Sequence, residues 1–319
     1  MSKHLFGIAV TPFGTAANNR GETEGNITTL QKILWNNELH TTVSAEAIRW
    51  AIRYYWQMKL GADKLNRYWV EEQQQGKDMK PMHCWRDHEF KAWRNYIDDD
   101  VLGFMSAESA KEEASDAEGT PETDKKKKRG SAKVRRARLE VTRAISLTPF
   151  AGDITFNAAS VGATPSASST GKDPVPYGTE VHATRYQYGL ALTPEDLADK
   201  SRALAVIEAI VNLNEVAGNQ ARFLFDFSPE SVIFRWTDDF APRMLYAFKV
   251  DAEGRPTVPA LLQRVAAGDI SPAELIVGGP IADTADGAAL KQKGAFVVPG
   301  VKAAAKEFKE RIRKDLGLK

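Results

Sequence analysis

The chain is 319 residues long, 43% hydrophobic and 27% charged, the composition of an ordinary globular protein and not of a disordered or fibrous one. Its length is enough to bury a sizeable core as one large domain or two smaller ones. A net charge of +1 argues neither for nor against nucleic acid, no apolar run approaches a membrane span, and the lone Cys84 excludes an internal disulfide or a multi-cysteine metal cage. The N-terminal apolar run is too short for a signal peptide, so a cytoplasmic location is expected.

In chain order, Leu5 to Thr11 is an apolar run closed by Pro12, which predicts a buried strand. The polar, glycine-rich residues 13–25 predict a loop. Ser44 with Glu46 two residues on predicts a helix through about Lys59. Ala47, Ile48, Ala51, Ile52 and Tyr55 share one face of it, and Arg49 and Arg53 another. Residues 60–105 are rich in aromatics and charge, which predicts a helical insertion with a small core of its own. Residues 106–133 have almost no large apolar side chains and predict a mobile loop.

Leu139, Val141, Ile145 and Leu147 alternate with polar residues, broken only by Arg143, and predict a strand. A second strand at Ile154 to Ala158, a Ser/Thr/Pro/Gly stretch from Gly162 to Gly178 and a strand-like run from Glu180 to Leu192 predict a long hairpin with an extended tip. Thr193-Pro194-Glu195-Asp196 has the form of a helix start, with Leu204, Ile207 and Val211 as the buried stripe. Phe223 to Phe227 and Val232 to Trp236 predict paired strands about Ser228-Pro229-Glu230, and Met244 to Val250 a further strand. A basic helix from about Val301 to Leu316 closes the chain. Without the insertions the order is βαββαβ, so the expected fold class is α+β with a ferredoxin-like or RRM-like plan.

The residues that carry chemistry point away from catalysis. His83 and His88 are five apart, off the i, i+4 spacing of a zinc helix, and Cys84 between them has no evident base. Asp98-Asp99-Asp100 and Asp238-Asp239 have the form of solvated turns or helix starts. Gly278-Gly279-Pro280 is a plain turn and not a phosphate loop. No catalytic residue, metal or cofactor is expected. The basic residues Lys133, Arg135, Arg136 and Arg138 at the join of loop and strand are candidates to grip phosphate. The cluster Asn18, Asn19 and Arg20 is a second candidate, able to hold phosphate and ribose at a sheet edge.

Five stretches together resemble one family: FGTAANNRGETEGNITTLQKI, HTTVSAEAIRWAIR, SLTPFAGDITFNAASVGATPSAS, YGTEVHATRYQYGLAL and RFLFDFSPESVIFRWTDD. They are similar to the DevR autoregulator family, the backbone subunits of CRISPR type I Cascade effector complexes of the I-B and related kinds. The resemblance covers roughly residues 5–60 and 140–250. It implies a hand-shaped subunit: palm at 1–59, 139–158 and 187–250, a finger insertion at 60–138, a thumb hairpin at 159–186 and a C-terminal extension at 251–319.

The resemblance further implies a non-catalytic subunit that binds guide RNA without regard to sequence and stacks head to tail with copies of itself. Target single-stranded DNA and other Cascade subunits are the further partners implied, and no membrane. Asn18, Asn19, Arg20, Thr41, Thr42, Ser44 and Arg49 would line the palm track. Val161, Pro165, Tyr177, Val181 and His182 would form the thumb, with Arg185 at its root. No aromatic pair of a true RRM is visible. Asp153 and Asp173 stand isolated, which argues against target-RNA cleavage. A free-standing RNA- or DNA-binding autoregulator is the alternative, and an enzyme using His83, Cys84 and His88 the more distant rival.

Overall fold

The structure, a computed structural model, describes residues 2–17, 19–75, 78–106, 133–159, 175–214, 216 and 224–318. The expected mobile loop, apart from its end residues, and the candidates Asn18, Val161 and Pro165 lie outside the described residues.

Strand β1 (His4–Val10) is buried along its whole length. The polar stretch after it is not a loop: it forms β2 (Gly14–Ala16), with which a strand from far along the chain pairs, and β3 (Asn19–Glu24), which pairs with β4 (Ile27–Leu30) just after it. Strands β5 (Lys32–Trp35) and β6 (Glu38–Val43) meet at Asn36-Asn37, both with positive φ, as a two-residue type I′ hairpin turn requires. Helix α1 (Ala45–Leu60) starts where Ser44 Oγ accepts the Ala47 N–H at 3.2 Å. It buries Ile48, Ala51, Ile52 and Trp56, and the Trp56 indole donates to the Ala205 carbonyl at 3.0 Å.

The insertion is mainly a β-hairpin and not helical. Strands β7 (Arg67–Gln75) and β8 (Asp78–Trp85) pair antiparallel, and the short helix α2 (Ile97–Leu102) follows. Its aromatic residues serve cross-strand contacts, as in the edge-on packing of Trp69 against His83 with centroids 4.8 Å apart. After α2 the chain runs out along β9 (Phe104–Ser106) and returns antiparallel along β10 (Lys133–Arg135). At Gly103, with φ +69°, a Cβ would lie 2.3 Å from the Arg135 carbonyl oxygen, so the return path requires glycine there.

The alternating segment forms two pieces, β11 (Glu140–Val141) and β12 (Ala144–Ser146). Strands β13 (Ile154–Ala159), β14 (Val175–Glu180), β15 (His182–Thr184) and β16 (Tyr186–Leu192) follow. The expected helix start at Thr193 is a single 3-10 turn, Pro194–Asp196, and Thr193 Oγ1 bonds to His4 Nδ1 at 2.8 Å instead of capping. The helix proper, α3 (Arg202–Val211), begins later. Residues 224–227 form no strand: Phe225 and Phe227 pack on the Tyr186 and Tyr188 rings.

Strand β17 (Ser231–Thr237) is fully buried. In the Met244–Val250 stretch only β18 (Lys249–Val250) is extended, paired with β19 (Pro256–Thr257), while Met244, Ala247 and Phe248 plug the core. The last elements are α4 (Pro259–Ala266), β20 (Leu275–Gly278), α5 (Ala285–Gln292), β21 (Phe296–Val298) and α6 (Val301–Leu316).

One large sheet organises them, in the order β21-β20-β17-β1-β16-β12-β6-β5, with β11 also on β16. At its centre β1, α1, β11 with β12, β16, α3 and β17 follow one another as β-α-β-β-α-β. The four strand positions lie antiparallel, with β1 between β16 and β17. Residues 251–319 continue this sheet, since β20 pairs with β17. Period-two alternation divides β1 between two cores: Leu5 and Ala9 pack under the helices, whereas Phe6, Ile8 and Val10 face residues 244–297.

Candidate nucleic-acid interface

Two distant pieces of chain meet beside the large sheet. Strand β15 pairs with β2, setting His182 opposite Ala16. Strands β13, β14, β4 and β3 form a separate four-stranded sheet in that order. Asn19 and Arg20 therefore sit on β3 at one edge of this sheet, and Tyr177 on β14 within it, although they are far apart in sequence. Glu180 ties the sheet together, accepting from the Leu30 N–H at 2.7 Å and pairing with Lys32 Nζ at 2.5 Å.

Beneath this junction lies a buried polar network. Thr41 Oγ1 bonds to His182 Nδ1 at 2.7 Å and to the Tyr186 hydroxyl at 2.8 Å. His40 Nδ1 bonds to the Ser146 carbonyl at 2.7 Å, and Thr148 Oγ1 to Thr184 Oγ1 at 2.7 Å. Burial holds the His182 imidazole down at about 4, with His40 nearby adding to the effect, so the ring is neutral at neutral pH.

This placement changes the role of several sequence candidates. Thr41, Thr42, Ser44, Val181 and His182 are buried, not surface contacts, because β6 and β15 are roofed by their neighbours. Thr42 Oγ1 accepts from the Arg143 guanidinium at 3.1 Å, and Ser44 caps α1. Arg49 donates to the Leu102 carbonyl at 2.8 Å, so it fastens the insertion. Arg185 is held by Glu230 at 2.9 Å and the Gly254 carbonyl at 3.0 Å.

The basic residues at the loop join divide similarly. Lys133 donates to the Glu89 carbonyl at 2.8 Å, and Arg135 pairs with buried Asp100 at 2.5 Å while lying over the Trp93 ring. Arg136 is open, with its side chain 82% exposed, and Arg138 is partly open, 3.7 Å from Asp196.

Sequence reasoning passed over four exposed residues near the junction. Phe13 carries the Arg185 guanidinium 5.6 Å above its ring. Arg143 lies at the surface beside Gln31 and Thr42. Ile154 and Phe156 project from one face of the edge strand β13, and Phe156 is 77% exposed. The sequence signal was available for Phe156, the aromatic of β13.

Asp98, Asp99 and Asp100 are not solvated: all three are buried. Asp98 accepts the Asn66 and Arg67 N–H groups at 2.8 and 2.9 Å, and Asp99 accepts Asn66 Nδ2 at 2.9 Å. Burial, then the charge of Asp98, pushes the Asp99 carboxyl up to about 7. In an unfolded chain an aspartate titrates near about 3.9, so between about pH 4 and 7 the folded state keeps a proton that the unfolded state has released. That contribution to stability falls as pH rises through this window. Asp99→Asn retains an oxygen for Asn66, and is expected to raise the melting temperature by a margin that grows from about pH 4 to 7 and then levels. A margin that is constant or shrinks with pH contradicts this assignment.

His83 is likewise lowered to about 4, by burial and then by Arg67 and Arg53. Among the described residues no group of three or more His, Cys, Asp or Glu side chains is placed to hold a metal ion, and no helix is long and apolar enough to cross a membrane.

Comparison with known proteins bears on this arrangement. The family described as CRISPR-associated negative auto-regulator DevR/Csa2 matches residues 11–217. A protein of Myxococcus xanthus (strain DK1622), described as CRISPR-associated protein Cas7/Cst2/DevR, is 53% identical over 291 residues, covering 89% of this chain and 88% of that one. Among solved structures, a chain of a CRISPR RNA-guided surveillance complex superposes with a TM-score of 0.54 at 14% identity, over 97% of this chain and 99% of its own. A chain of a second such complex, in a pre-nicking state, superposes with a TM-score of 0.58 at 11% identity, over 98% and 100% of the two chains. At such identities these two likenesses speak to fold, and they extend over nearly the whole chain.

Proposed function

This chain belongs to the CRISPR-associated DevR/Csa2 family, and we propose that it is a non-catalytic subunit that binds guide RNA irrespective of sequence and stacks into the helical backbone of a type I Cascade. In this reading the β-α-β-β-α-β core is an RRM-like palm, the β7–β8 hairpin with α2 the finger, and β13–β14 with the residues between them the thumb. The observation that carries it is the meeting of the Asn19–Arg20 strand and the β13–β14 hairpin in one four-stranded sheet separate from the large one.

A spacer differs from one guide to the next, so its holder needs backbone contacts and not base-edge hydrogen bonds. Asn18, Asn19 and Arg20 are proposed for the track on sequence, and the exposed Arg143 and Phe13 are added to it. The buried Thr41, Thr42 and Ser44 brace it from below, and the half-buried Arg49 fastens the finger. Tyr177 and Phe156 are the thumb's contact residues, with Val161 and Pro165 proposed on sequence alone. Ile154 and Phe156 offer an apolar face to the next copy. The heteroduplex with target single-stranded DNA then forms between successive thumbs.

Arg20→Ala tests the track. It is expected to weaken binding to guide RNAs of unrelated sequence by the same factor and to lower the salt dependence by about one phosphate contact. A loss confined to particular sequences favours the second reading, a free-standing autoregulator, which the description of the matching family supports.

A further inference from the structure

In sheets of the RRM kind, the face away from the helices is where single-stranded nucleic acid stacks. Here that face of β1 and β16 is largely roofed, since Phe6, Ile8, Val10 and Ala191 pack against residues from 233 to 297. One end stays open. A cavity of about 380 Å³ lies there, floored by Phe6 and Ala191 and walled by His4, Phe240, Arg136 and Arg138.

The aromatic wall is held in place. The Phe240 ring lies 4.6 Å from that of His4, whose Nδ1 bonds to Thr193. Phe240 itself is 85% exposed, an unusual state for phenylalanine. Its loop is fastened from beneath by buried Arg235, which donates to the Ala241 carbonyl at 2.9 Å and to Asp239 at 3.2 Å. The loop is thus built to display the ring.

Across the cavity, Arg136 pairs with Glu140 at 3.1 Å and Arg138 with Asp196 at 3.7 Å, both at the surface, where such pairs are weak and readily exchanged. Arg138 Nε is buried without a hydrogen-bond partner among the described residues. An exposed aromatic face beside two guanidiniums with loosely held counter-charges is the chemistry that stacks a base and pairs its phosphate.

We propose that this cavity takes one nucleotide of a single strand, its base on Phe240, which the buried His4 ring backs, and its phosphate on Arg136 and Arg138. The site lies at the end of the sheet away from Asn19 and Arg20, since His4 begins β1 whereas β2 and β3 follow its other end. The inference rests on the nucleic-acid-binding reading above and adds a second point of contact. An RNA occupant assigns the site to the guide, and a DNA occupant to the target strand.

The test is photocrosslinking of the full chain to a 5-iodouridine-substituted RNA and, in parallel, to a 5-iododeoxyuridine-substituted DNA bound to the RNA-loaded protein, with adducts mapped by mass spectrometry. An adduct on the peptide holding Phe240 is expected in one arm. Phe240→Ala, a change at an exposed side chain, is expected to remove it and to weaken binding in that arm about tenfold. Binding that persists in full with adducts only elsewhere overturns the nucleotide site and leaves the guide-binding reading standing. A changed copy number on RNA with no adduct here makes the surface a protein contact and overturns it equally. Absence of any RNA binding removes both readings together.

Discussion

Asp100→Ala is expected to destabilise the chain by about 3–5 kcal/mol, the cost of leaving buried charge without its partner. Asp100 is fully buried and pairs with Arg135 at 2.5 Å and Arg202 at 2.6 Å, one guanidinium on each oxygen. It also accepts the Ala198 N–H at 3.0 Å. These partners come from the returning strand of the insertion, from the first turn of α3 and from the segment before it, so a single carboxylate joins the insertion to the central elements. Truncation strands two cations with side chains only 13% exposed. Domains are stable by only about 5–15 kcal/mol, so much of the margin goes with it. Denaturant titration reads the loss directly, and one below about 1 kcal/mol would show that solvent reaches the site.

Phe156→Asp is expected to do the reverse, sparing stability and abolishing assembly on RNA. Phe156 is 77% exposed on an edge strand, so its removal costs the isolated subunit little. In a stack the same ring would lie against the neighbouring copy, where a carboxylate has to be buried without a partner. The expected result is an unchanged melting temperature with single-copy RNA complexes. Normal stacking by the variant would remove Phe156 from the contact.

The elements that could be read from the sequence are those whose signal is local. Strand β1, with its continuous apolar run, helix α1, with its Ser44 cap, and α6 lie within a residue or two of where periodicity placed them. The family was equally legible, because its motifs are long. What failed depended on which segments pair or pack with one another. The aromatic residues of 67–85 have no clear period, and they lie on strands only because two segments pair antiparallel. Thr193 has the form of a helix cap, but His4, 189 positions away, takes its hydroxyl.

Site residues were harder still. Arg135 and Arg138 are alike in sequence, yet Asp100 takes the first into the interior and leaves the second at the rim. Asp98, Asp99 and Asp100 had the form of a solvated turn because nothing near them in sequence announces Asn66 or Arg202. Thr41 and His182, expected as contacts in the palm and the thumb, are buried and bond to each other, since burial is decided by strands that sequence alone does not register.

The most direct measurement is mass photometry of the purified protein with single-stranded guide RNAs of increasing length and unrelated sequence. The expected masses rise in steps of one subunit, 35.2 kDa, as the RNA lengthens, whatever the sequence. A fixed small complex at every length, or binding to one sequence alone, would contradict the backbone role and leave the autoregulator in its place.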